Sequence, residues 1–141
     1  MPKEEDINIV IGEMTAKKSD VDGAKLGPLP DVMTDAMTKF FKKQSGYVLK
    51  KANDKPKSGF KISGNVKSLT KETRDGVELV TCWVSLALGE LPKDMMVAGK
   101  LEGFGGTDIR KDLQKDVEFA VATATTEAAT MAIKQIKHAL K

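Results

Sequence analysis

Residues 59 to 104 alternate apolar and polar side chains with a period of two across three consecutive runs, and a chain patterned in this way must fold around a sheet. In the first run, Phe60, Ile62, Gly64 and Val66 alternate with Lys61, Ser63, Asn65 and Lys67. In the second, Gly76 to Leu88, the residues Val80, Cys82, Val84, Leu86 and Leu88 point one way; Leu79, Thr81, Trp83, Ser85 and Ala87 point the other. The third, Met95 to Phe104, sets Met95, Val97, Gly99 and Leu101 against Met96, Ala98, Lys100 and Glu102. Turn residues at Arg74-Asp75-Gly76 and over 90 to 94 join the runs into an antiparallel meander. Such a meander has one dry face that needs a cover.

Two helical segments can supply it. Leu29, Val32, Met33, Ala36, Met37, Phe40 and Phe41 recur at the spacing of one helical stripe. Pro30 is tolerated in the opening turn, and Ser45-Gly46 closes the segment. At the other end Leu113, Val117, Ala120, Val121, Ala124, Ala128, Met131, Ala132, Gln135 and Ile136 trace an alanine-rich stripe able to lie close on a sheet, on a helix running to about Lys137. Gly99 and Gly103 allow a close approach of that kind. Gly103 to Asp108 reads as a glycine-rich turn into this helix, with Thr107 or Asp108 as N-cap. It matches neither phosphate-binding pattern, and Asp108 and Asp112 would repel an anion.

Before the first helix, Ile7-Asn8-Ile9-Val10-Ile11 is a strand whose near-continuous hydrophobicity suits the sheet interior. Residues 13 to 28 follow as a long polar loop without periodicity. Tyr47 to Lys50 is a short strand. The expected fold is therefore α+β, a two-layer sandwich in the order β-α-β-β-β-β-α. Its sheet is four- to five-stranded and mostly antiparallel, with both helices on one face. At 141 residues the chain is a single domain, with residues 1 to 6 expected to form a disordered tail.

Catalysis finds little to work with. One cysteine and one histidine remove most nucleophilic triads and zinc sites, and Cys82 sits among apolar strand residues as a packing group. His138, near a helix C-terminus, has no acid or nucleophile at a readable spacing. Glu13, Asp20 and Asp22 could serve an enzyme only if a deep pocket gathered them, and they show no calcium-loop spacing. No catalytic residue, cofactor or metal ligand is therefore assigned. No apolar run approaches the roughly 20 residues of a membrane span.

The net charge of +3 conceals segregation: residues 1 to 38 carry −4, residues 39 to 71 carry +9 and residues 72 to 141 carry −2. The middle block owes its charge wholly to lysine, which suits diffuse attraction to an anionic surface rather than bidentate reading of phosphate or bases. Trp83 falls on the face of the meander opposite the core, together with Lys61, Lys67 and Lys100. These four, with Lys42 and Lys43 of the basic block, are the candidate partner-binding residues.

The opening strand Ile7 to Ile11, the run Leu29-Pro30-Asp31-Val32-Met33-Thr34-Asp35-Ala36-Met37 followed by Gly46-Tyr47-Val48-Leu49, and then Gly59-Phe60-Lys61-Ile62-Ser63-Gly64-Asn65-Val66 carry a resemblance. The chain resembles the small α/β domain of bacterial envelope lipoproteins: the activators of penicillin-binding proteins (LpoB-like), the curli-export lipoprotein CsgG and the N-terminal domain of TolB. The resemblance implies a non-enzymatic accessory domain of the periplasm or the periplasmic face of the outer membrane, which docks other envelope proteins. That location requires a leader upstream of Met1; otherwise the chain is cytoplasmic. The alternative function is a cytoplasmic binder of an anionic polymer such as nucleic acid, through residues 39 to 71.

Overall fold

Alternation over the meander is realised as three long strands, and the dry face they share is covered by both helices. The structure, a computed structural model, describes residues 6–110 and 112–140. Its elements are β1 (Ile7–Thr15), α1 (Leu29–Lys42), β2 (Tyr47–Lys50), a 3-10 turn (Ala52–Asp54), β3 (Phe60–Arg74), β4 (Val77–Glu90), β5 (Met95–Asp108) and α2 (Leu113–Ala139). The α+β sandwich is as expected; of the expected tail, all but Asp6 lies outside the described residues. In the sheet the strand order is β2-β1-β3-β4-β5. Its β3-β4 and β4-β5 pairs are antiparallel, while β1 runs parallel to both β2 and β3. β1 lies inside the sheet between β2 and β3, and its successive residues Ile9 and Val10, which point to opposite faces, are both buried, which accounts for its near-unbroken isoleucine and valine.

Hairpin chemistry sets the β3-β4 register. Asp75 and Gly76 form a two-residue turn with φ of 51° and 78°, the positive dihedrals whose twist matches paired strands, and this lets the ladder run to the Arg74–Val77 pair. A bulge between Val66 and Ser68 shifts the phase, so that Ile62, Val66 and Leu69 all reach the core while Ser68 faces Trp83.

Three expectations are corrected. Gly103 to Asp108 is not a turn but the end of β5, and the α2 N-cap is Asp112, whose carboxylate accepts a hydrogen bond from the Lys115 N–H at 3.2 Å. The α2 stripe is wider than one face: Thr125, Ala129 and Ile133 are buried, because α1 covers a second side, whereas Met131 stands 39% exposed. Thr125 satisfies its buried hydroxyl by donating to the Val121 carbonyl at 2.7 Å. The polar loop begins only after Thr15 and is tied down. Val21 enters the core, the Asp20 N–H donates to the Leu69 carbonyl, and Lys25 exchanges two hydrogen bonds with the Gln114 side chain.

Of the two glycines expected beneath a helix, Gly103 lies directly under α2, against Ala124 and Ala128; Gly105 does the same against Ala120 and Ala124. Gly99 does not; its nearest neighbour is the Met96 side chain.

Candidate functional site

With both helices on one side, the other face of the sheet is left bare, and strand alternation decides what it carries. From β4 it takes Thr81, Trp83, Ser85 and Ala87, between the fully buried Val80, Cys82, Val84, Leu86 and Leu88. Cross-strand register sets Trp83 between Ser68 of β3 and Phe104 of β5. The Trp83 and Phe104 rings lie 4.9 Å apart at an interplanar angle of 60°, and each is about two-fifths exposed (42% and 38%). Two aromatic rings in contact on an otherwise polar sheet face form an apolar spot that water covers poorly.

Polar groups surround it. Lys67, the extra residue of the β3 bulge, reaches across β4 to Glu102 on β5, with Nζ–Oε2 at 2.6 Å. The two carry a charge pair past the tryptophan, and with Ser68 they line a hollow of about 390 Å³ beside it. Thr70 and Thr81 join hydroxyls at 2.7 Å. Farther along the same face, Glu13, Thr15, Lys17, Ser63, Asn65 and Ser85 line an open depression of about 420 Å³. Asp20 and Asp22 do not line that depression, so the three acidic residues weighed for an enzyme are not gathered in it. The arrangement offers hydrogen-bond donors and acceptors, one charge pair and one aromatic spot.

The six candidate residues do not share a surface. Trp83, Lys61 and Lys67 occupy the bare face, and Lys100 is exposed where Gly99 and Lys100 together oppose Ala87. Lys42 and Lys43 end α1 in the helical layer, across the sheet from Trp83. Lys61 lies along Gly12, with its ammonium 3.7 Å from Asp94. Lys71 pairs with Glu78 at 3.4 Å, and Lys39 with Asp35 at 3.0 Å. Exposed pairs of this kind add little stability, but they cancel much of the local field. Phe104 is not one of the six: the third run ends on it and Gly103 to Asp108 reads as a turn, so nothing local marks it as an outward strand residue opposite Trp83.

Cys82 has no part in this surface. It is fully buried, and burial pushes its thiol up to about 12 from an ordinary 9.0. The thiolate is the reactive form, so the native protein should resist a thiol-directed alkylating reagent at pH 8 and react only after denaturation. Mass spectrometry before and after unfolding checks this, and modification of the folded chain would contradict it.

A two-layer α+β sandwich with one covered and one bare sheet face is the class that these observations define. No protein-family model matches the chain, and no curated protein matches it. Its fold is shared with several solved structures. Protein XCC0632 from Xanthomonas campestris, of the family DUF330, has a TM-score of 0.65 at 13% identity, over 99% of this chain and 89% of that one. The hypothetical protein CT253 from Chlamydia trachomatis has a TM-score of 0.58 at 5% identity, covering 95% of each chain. Lipoprotein GNA1162 from Neisseria meningitidis has a TM-score of 0.53 at 8% identity, covering 94% of this chain and 99% of that one. At such identities the likeness is one of fold, and the fold is one that a bacterial lipoprotein also has. No helix among the described residues is long and apolar enough to cross a membrane.

Proposed function

We propose that this chain is a docking domain of the bacterial cell envelope, without chemistry of its own, that holds a protein partner on the bare sheet face around Trp83. The observation that carries the reading is the Trp83–Phe104 pair, exposed on the one sheet face that no helix covers. Tryptophan is the side chain most enriched at the energetic centre of protein interfaces, and the Lys67–Glu102 pair and nearby hydroxyls suit a polar rim around such a centre. An envelope location is supported by the fold shared with a lipoprotein and by the sequence resemblance to the LpoB-like activators, CsgG and the TolB N-terminal domain. Binding of an anionic polymer by the lysine block has weaker support. Four of its ten lysines, Lys39, Lys61, Lys67 and Lys71, face carboxylates, and the block is divided between the helical layer and the bare face.

Trp83→Ala tests the reading. Its side chain packs outside the core, so thermal unfolding should shift little while affinity for the envelope partner falls by about 2 kcal/mol or more, roughly thirtyfold. Pull-down from an envelope extract with wild-type and variant domains measures this. Equal capture by the two would overturn the role of Trp83. Binding of nucleic acid that vanishes with added salt would favour the polymer reading instead.

A further inference from the structure

Strand β5 is the last of the sheet, paired with β4 on one side and, among the described residues, with no strand on the other. From Leu101 to Asp108 its pairing with β4 is unbroken. Within an antiparallel strand the residues alternate, each sending both its N–H and its C=O to the same side. The Phe104 N–H points away from β4, since it donates to a carboxylate oxygen of Glu127 on α2 at 3.3 Å. Glu102, Phe104, Gly106 and Asp108 therefore direct their backbone groups outward. This is a regular, proline-free edge of the kind that templates another strand.

Above that edge, α2 lies over β5 and, less extensively, over β4. Phe119, Thr123, Glu127 and Met131 are four residues apart, all exposed, and form an i, i+4 ridge; Phe119 and Met131 stand 51% and 39% exposed. The ridge is centred near the helical turn that lies over Phe104. Thr123 sits against Gly105, and Glu127 binds the Phe104 amide.

We propose that the free edge of β5 and the adjoining α2 ridge form an isologous interface with a second copy of this chain, the two β5 strands running antiparallel about a two-fold axis at Phe104. Four features of the chain suit a copy of itself. Antiparallel pairing at Phe104 lets each Phe104 N–H donate to the other's carbonyl and sets Glu102 opposite Gly106. It brings Lys100 towards Asp108 of the partner copy at both ends, and neither forms an ion pair with another described residue of its own chain. It faces Phe119 of one copy with Met131 of the other, since the two lie equally far from the centre of the ridge. Finally, it sets the two α2 helices about two strand spacings apart, near 10 Å, and crossed by about −45° from sheet twist. Those are the separation and angle at which i±4 ridges interdigitate. In the single chain the Glu127 carboxylate occupies the Phe104 amide and guards the edge; in the pair it swings to the Thr123 hydroxyl of the partner copy. The closed symmetry leaves each outer edge to β2, which is only four residues long.

Sedimentation and light scattering of the full chain over a micromolar to millimolar series test the proposal. The mass should rise towards twice that of the chain. Glu127→Ala, which frees the amide, should tighten the dimer several-fold, and Phe119→Lys and Met131→Lys should each weaken it roughly tenfold without altering the fold. Paired Phe104 positions lie within disulfide reach, so Phe104→Cys should cross-link two chains under oxidation, while Lys57→Cys should not. Trp83→Ala should leave the mass unchanged, which separates this interface from docking on the bare face. A chain that stays monomeric at millimolar concentration even as Glu127→Ala overturns the proposal. So does a dimer indifferent to the two lysine substitutions, or one that Phe104→Cys does not cross-link.

Discussion

A valine at position 103 should leave this protein unable to fold. Gly103 faces α2 at the point where helix and strand backbones touch: a Cβ there would overlap the carbonyl of Ala124 and the amide of Ala128, and would stand 3.0 Å from the Ala128 Cα. Nothing at that contact can rotate away, because the obstacle is main chain on both sides. Relief requires lifting α2 off β5, which would open the layer formed by Val117, Ala120, Val121, Ala124 and Ala128, every one fully buried. Overpacking normally costs about 1–3 kcal/mol; where only backbone can yield, the cost should exceed that range, against a total stability of about 5–15 kcal/mol. Circular dichroism and limited proteolysis of Gly103→Val should report a largely unfolded chain. Gly99→Ala is the control, since its new methyl would meet only the flexible Met96 side chain, with Sδ at 3.1 Å. A native-like melt for Gly103→Val would show that α2 is not held this closely.

That contact also explains what the sequence hid. Period-two alternation marked β3 and β4 well, because the inward residues were large and apolar. The same alternation continues through Leu101, Gly103 and Gly105 in β5, yet there the inward residue is glycine, so strand chemistry looks like a turn. Glycine stands at those positions because a helix occupies the space of its side chain. The alanine-rich stripe of α2 was the legible half of this arrangement. Its second buried side, with Ala129 and Ile133, answers to α1, and no local pattern in α2 announces a neighbour that far away along the chain. Similarly, the polar loop after β1 carried no periodic signal, since what fixes it is Val21 entering the core and the hydrogen bonds to Leu69 and Gln114. Of the candidate site, Trp83 was legible from alternation alone. The separation of Lys42 and Lys43 from it was not, because proximity along the chain says nothing about which layer a residue joins.

Phe41→Ala should be the costliest truncation in the helical layer, and it carries its own spectroscopic marker. Phe41 ends the apolar stripe of α1 and is 1% exposed, with its ring edge-on to Phe40 at 5.2 Å and to Tyr47 of β2 at 5.5 Å. It thereby pins the end of α1 to a four-residue edge strand whose strand partner is β1. Removing a buried phenylalanine ring costs about 3–5 kcal/mol, which for a chain of this size lowers the melting temperature by about 10 to 20 °C. Tyr47 reports the cause. It is the only tyrosine, and burial raises its phenol pKa above 10.0 by disfavouring the phenolate. A pKa raised in the folded state means stability that is intact below pH 10 and lost as pH rises beyond it, because the unfolded chain releases the proton first. Taking away the Phe41 ring admits water to Tyr47, so its absorbance titration should move down towards 10.0 in the variant, and the alkaline loss of stability attributable to Tyr47 should shrink. A variant that melts within a few degrees of the wild type and leaves the tyrosine titration where it was would show that β2 is anchored by something other than this aromatic contact.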